Sequence, residues 1–268
     1  MKLSEMYELA NSIAPKALSD EYCRAYGAYD NSGVLVDAGE EIKGAVFSLD
    51  LSGKAIDDAI AKNANLLMIH HPAIYGKISE IRADDPTLLG GRLVKCLKNG
   101  ISVIAMHLNL DGAEGGIDET LAQGICASAG GTLENAVLMH ALSQGGYGRA
   151  YDIKETPFAV LAENMKKTFS CARMLSYGDG ERKIHRVASF CGAGADEESI
   201  LFAKKQGADV IVSADFKHHL IALARELDLC VIALTHFASE QYGFEKYYQK
   251  IRQRVEIPCA LHVDSDLL

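Results

Sequence analysis

The chain has 268 residues, 49% of them apolar and 24% charged, a globular balance that excludes disorder, collagen-like repeats and coiled coil. Its 27 Lys and Arg against 36 Asp and Glu give a net charge of −9, which argues against nucleic acid as the main partner because phosphate backbones want a basic surface. At roughly 150 residues per domain, the length suggests about two domains.

The N-terminal stretch, 3–18, reads as a helix, and Glu5 and Glu8 inside its apolar pattern make it amphipathic rather than secretory. No run approaches the roughly 20 apolar residues that a membrane helix needs. A strand is predicted at 45–49, a helix at 54–64, a buried strand at 66–69, a helix at 88–98, a strand at 102–106 and a helix at 116–129. Strands alternating with helices imply parallel pairing through crossover helices. The segment Ala129-Gly130-Gly131-Thr132 breaks the pattern and marks a domain boundary. Candidate strands follow near 147–152, 171–176 and 184–190, with a helix near 156–168. The alternation then resumes with a helix at 197–206, a strand at 209–212, a helix at 220–227, a strand at 230–234 and a helix over about 240–254. The seven cysteines are odd in number, scattered and without a C-x-x-C pair, which suits reduced, buried thiols in a cytoplasmic protein and argues against a thiolate zinc site.

The informative feature is where the histidines fall. The run 66–69 ends in His70-His71-Pro72, and 102–106 ends in His107-Leu108-Asn109-Leu110-Asp111. The run 210–212 is followed by Asp215 and by Lys217-His218-His219, and 231–234 by Thr235-His236, with Glu240 four residues on. In open α/β sheets, ligands bind outside the carboxyl ends of the strands, so four strands would aim ionisable groups at one rim. Each piece has a plainer reading. His70-His71 can be a polar step out of a strand, Asp111 can cap the helix near Gly116, and His236 with Glu240 can be a surface pair. Together, His70, His71, Asp111, His236 and Glu240 form a mixed nitrogen and oxygen set without thiolate. That set suits Zn, Fe, Mn or Ni.

Five ligands exceed the needs of one catalytic ion and fit two ions about 3.5–4 Å apart. Two divalent ions and two carboxylates leave a net charge of about +2, which attracts an anion or deprotonates bound water. This points to a hydrolase of a small anionic molecule, a nucleotide or other phosphorylated compound among the candidates. The alternative is a non-enzymatic metal-handling or regulatory protein, because no G-x-S-x-G elbow and no cysteine in a nucleophile context is present. Since His236 and Glu240 must meet the earlier ligands, the domains are expected to be 1–130 plus 235–268, which holds the metals, and 131–234. Asp215 reads as the cap of the helix that follows it, leaving Lys217 and one of the two histidines, His218 or His219, to contact an anionic substrate. Arg149 is a further group able to hold a polyphosphate.

The motifs resemble those of the NIF-three-like family, whose members bear the name GTP cyclohydrolase type 2 homologs. Tyr29-Asp30-Asn31-Ser32-Gly33-Val34 is similar to the family's W-D-N-x-G-L, and His107-Leu108-Asn109-Leu110-Asp111 to its H-T-N-L-D. Cys191-Gly192-Ala193-Gly194 is similar to C-G-G-x-G, the segment 213–219 to T-G-D-x-K-x-H, and the segment 235–240 to G-H-Y-x-S/T-E. His70-His71-Pro72 completes six motifs in order, with Tyr29, Leu108 and Ala214 as the departures. The resemblance implies two α/β domains flanking a cleft that holds a dinuclear metal site. His70, His71, Asp111, His236 and Glu240 would be its ligands, and His107 would stand beside them or act as acid–base group. It also implies a ring-shaped homohexamer. His219, rather than His218, takes the family's histidine position.

Overall fold

Pro15 splits the N-terminal amphipathic stretch in two, because its ring cannot continue a helix and its nitrogen carries no proton. The computed structural model, which describes residues 1–267, therefore starts with α1 (Leu3–Ile13) and α2 (Lys16–Tyr26) where the apolar period alone suggests one helix. There follow β1 (Gly33–Val36), β2 (Ala45–Ser48), α3 (Gly53–Ala61), β3 (Leu66–Ile69), α4 (Leu89–Lys98), β4 (Ser102–Ala105) and the short α5 (Leu108–Gly112). Ser52 starts α3 by accepting the Ala55 N–H at 3.0 Å, a serine N-cap.

The chain continues with α6 (Ile117–Ser128), β5 (Val137–Ala141), β6 (Gly146–Pro157), α7 (Phe158–Thr168), β7 (Leu175–Tyr177) and β8 (Lys183–Ser189). Then come α8 (Glu197–Lys205), β9 (Val210–Ser213), α9 (His218–Glu226), β10 (Cys230–Ala233), α10 (His236–Arg252) and β11 (Cys259–Leu261). The fold is mixed α/β with two sheets.

The first sheet has the order β1-β4-β3-β2-β11, parallel except for β1. Every residue of β2, β3 and β4 is buried, as expected when both faces of a parallel sheet are covered. Val46, Leu67, Ile69, Val103 and Ala105 pack with Ala55, Ile56 and Ala59 of α3 and Leu93 and Cys96 of α4. Phe47, next to Val46 and so on the opposite face, meets the rings of Phe244, Tyr247 and Tyr248.

The second sheet has the order β5-β6-β8-β9-β10-β7, with β8, β9 and β10 parallel and the other pairs antiparallel. Ala188, Ile211 and Val231 join Ile200 and Ala203 of α8 and Leu220 and Ala224 of α9 in one core.

The chain divides into two compact units, Met1–Ala113 with Phe244–Asp264, and Glu114–Gly243 with the end of the chain from Ser265. The sequence puts the boundaries at 130 and 235. The difference arises because α6 packs on α7 and β6, and because residues 236–243 of α10 also fall in the second unit. The four histidine-bearing strand ends accordingly belong to two rims, β3 and β4 on one sheet, β9 and β10 on the other. Among the described residues, no helix is long and apolar enough to cross a membrane, and the seven cysteines form no disulfide.

Candidate metal centre

In the first unit, register builds the site. Parallel pairing sets Ile69 beside Ala105, so the residues that leave the two strands together are His70 with Met106 and His71 with His107. The His70 and His71 rings lie 4.8 Å apart, and those of His70 and His107 5.2 Å. One turn of α5 then returns Asp111, which is buried, to 3.5 Å from Nε2 of His70. Ligand atoms of His70, His107 and Asp111 all lie within 4.8 Å of one another. Asp111 is thus not the cap of α6, whose N-cap is Gly116.

Each of these imidazoles is held by Nδ1. His70 donates to the Met106 carbonyl at 2.7 Å, His71 to Asp50 at 2.9 Å and His107 to Asp30 at 2.8 Å. A neutral imidazole whose Nδ1 carries the donated proton offers a lone pair at Nε2, the form a metal requires. Burial pushes the Asp30 carboxyl up, but hydrogen bonds from His107, Ser19 and Ser32 outweigh it and hold the group well below the usual carboxylate range. Burial likewise opposes charge on His107, and the Asp30 hydrogen bond with the nearby Asp111 carboxylate overcomes it, so that His107 titrates above its ordinary 6.5.

In the second unit, the loops leaving β8, β9 and β10 supply a second group. His236 opens α10 and donates from Nδ1 to Asp215 at 2.6 Å, while its Nε2 lies 3.1 Å from Glu240 one turn on. Glu240 is buried, and its Oε1 occupies the place a side chain on Gly192 would take. Gly192, at φ +55°, donates its N–H to Ser239 at 3.0 Å. The backbone there must be left-handed and bare, which only glycine supplies cheaply.

Two residues have other roles than the sequence suggests. Asp215 is not a helix cap, since the N-cap of α9 is Lys217; it sits at φ 52° and orients His236. Arg149 is buried and spent on Asp118, at 2.8 Å from Nε, and on the Gly146 carbonyl. Asp118 in turn accepts the Cys191 N–H at 3.3 Å, so Arg149 supports the loop carrying Gly192 and is not available to a substrate. His107 stands beside His70 and Asp111 in one candidate cluster. Lys217 and His219 are both exposed at the start of α9.

Sequence reasoning misses Asp30 and Asp50 as orienting groups. Asp50 lies two residues past β2 as His71 lies two past β3, so a strand-end signal exists for it. Asp30 precedes an antiparallel edge strand; the motif at 29–34 includes it, but no strand-end pattern marks its orienting role.

The family model for Duf34/NIF3 (NGG1p interacting factor 3) matches residues 1–265. A Clostridium acetobutylicum protein named GTP cyclohydrolase 1 type 2 homolog is 30% identical over 244 residues, covering 90% of this chain and 85% of the relative. A Clostridium perfringens protein of the same name is 29% identical over 268 residues, covering 99% and 97%. Among solved structures, reduced HcgD from Methanocaldococcus jannaschii superposes with a TM-score of 0.77 at 26% identity, over 97% of each chain. The Staphylococcus aureus hypothetical protein SA1388 has a TM-score of 0.82 at 22% identity, over 100% of this chain and 98% of that one, a likeness of fold. With a family match over nearly its full length and relatives aligned along most of theirs, the chain belongs to the Duf34/NIF3 family.

Proposed function

We propose that the two histidine groups act as one site, in which His70, His71, Asp111, His236 and Glu240 hold two divalent ions. In this reading the protein is a metal-dependent hydrolase of a small anionic molecule, with nucleotides and phosphorylated compounds as the first candidates. The observation that carries the proposal is the common orientation of four imidazoles. His70, His71, His107 and His236 each fix Nδ1 on a carbonyl or carboxylate, which points Nε2 of the three ligand histidines to a metal and that of His107 to proton transfer. The donor set also fits: imidazole and carboxylate without thiolate suits Zn, Fe, Mn or Ni.

Bound ions would supply Lewis acidity and a water of lowered pKa. The chain's own residues do the rest. His107, with its Nδ1 proton anchored on Asp30, can take or give a proton at Nε2. Lys217 and His219 offer cationic and donor contacts to an anion. The relatives' name keeps GTP on the substrate panel. Assembly as a homohexamer and residence in the cytoplasm complete the proposal, and light scattering on the purified protein tests the first.

The decisive experiment is metal analysis of purified protein, followed by turnover of a nucleotide and phosphoester panel with Mn or Zn. Turnover that disappears on chelation and in Glu240→Gln supports the hydrolase. Tight metal binding without turnover on the panel turns the reading to a metal-handling or regulatory protein.

A further inference from the structure

Two large aromatic side chains beside the first-unit histidines are left in solvent. Tyr29 is 58% exposed and Tyr75 50%, although burial is the usual fate of such rings. They are held in place. The Tyr75 hydroxyl donates to the Tyr29 carbonyl at 2.6 Å, and the Asn31 amide donates to the Ile74 carbonyl at 2.6 Å, so two bonds tie the two loops. The rings meet edge to face, 5.3 Å apart at 76°, and Tyr75 meets His107 in the same way at 6.0 Å and 87°. Tyr29 also adjoins Asp30, the residue that orients His107.

An edge-to-face pair uses one edge and one face. Two half-exposed rings arranged so keep aromatic surface available, fixed in advance and next to the liganding imidazoles. Preorganised aromatic surface favours a planar ring, because stacking gains area without the cost of ordering a loop. We infer that Tyr29 and Tyr75 form a stacking platform, and that the molecule bound at the metal centre carries a planar heteroaromatic ring joined to its anionic group, as a nucleoside monophosphate does. This rests on the proposed anionic substrate and narrows it, since a sugar phosphate or inorganic phosphate would leave both rings unused.

Calorimetric titration of the metal-loaded full chain with GMP, AMP and ribose 5-phosphate tests it, because these share a phosphorylated ribose and differ in the ring. Either nucleotide should bind at least about tenfold more tightly than ribose 5-phosphate, the factor given by about 1.4 kcal/mol of stacking. Tyr29→Ala and Tyr75→Ala should each remove most of that preference and leave ribose 5-phosphate affinity in place, while Tyr29→Phe retains it. The sequence contains no tryptophan, so Tyr29→Trp installs a single reporter whose fluorescence the nucleotides should quench and ribose 5-phosphate should not. Equal affinity for all three probes overturns the platform and leaves the anion site standing, as does preference unchanged in both alanine variants. No binding of any probe to the metal-loaded protein overturns the anion site and the platform with it.

Discussion

Asp215 accepts the Nδ1 proton of His236 across 2.6 Å, and it does so from a left-handed backbone conformation at φ 52°. Asparagine and aspartate tolerate that region better than other non-glycine residues, yet it still costs them energy. Asp215→Gly should therefore leave the metal-free protein at least as stable as the parent while weakening metal binding about 10- to 100-fold through loss of the orienting carboxylate. Thermal melts of stripped protein and chelator competition measure the two halves separately. A variant that binds metal as the parent does would remove Asp215 from the site.

The Asp30 carboxyl, held below its ordinary 3.8 by the hydrogen bonds it accepts, makes stability depend on acid. A depressed carboxylate contributes stability that is fully present above its unfolded pKa and is lost as pH falls through the folded value. Asp30→Asn should cost about 1–3 kcal/mol at pH 7. The cost should shrink as the pH is lowered below about 4, where the parent gives up the same contribution. Urea denaturation at a series of pH values reads this out, and a constant difference across the series would contradict it.

Gly192→Ala should be costly twice over. The substitution forces a left-handed alanine, and its Cβ would run into Oε1 of Glu240. A loss of about 1–3 kcal/mol is expected, together with reduced metal stoichiometry as Glu240 is displaced. Calorimetric melting and elemental analysis of the same sample check both. Loss of stability with full metal content would mean that Glu240 is not a ligand.

Arg149 and Asp118 form a buried pair that also receives the Gly148 and Cys191 backbone N–H groups. Arg149→Met should destabilise the protein by about 3–5 kcal/mol, because it leaves a buried carboxylate without its counter-charge. Adding Asp118→Leu should recover part of that loss. If Arg149→Met melted like the parent and only weakened nucleotide affinity, Arg149 would be a substrate contact after all.

The central strands are legible because burial on both faces makes them uninterrupted apolar runs: β3 and β4 coincide with the runs before His70 and His107, and β9 and β10 with those before Asp215 and His236. What the sequence hides is what lies at edges or depends on distant partners. β1 and β11 are edge strands with partly exposed residues, so neither alternation nor continuous hydrophobicity marks them. α5 has five residues, too few for a helical period, and it is what carries Asp111 back to His70. The roles of Asp30, Asp50 and Asp215 arise from pairing between segments 21 to 77 residues apart, which no local window contains.

The register of β3 on β4 has a consequence for which edits this part of the chain can absorb. The strand positions are enclosed and apolar, so exchanges among aliphatic residues of similar volume should be tolerated with small losses. Length is different. Removing one residue from the turn at 99–101 would slide β4 by one rung against β3 and send alternate side chains to the opposite face. His107 would then stand on the wrong side of the sheet from His71, with every strand residue still apolar. Tolerance here is thus governed by spacing more than by identity: a library of substitutions through 102–105 should retain metal binding in many members, and a library of single-residue deletions through 99–105 in almost none.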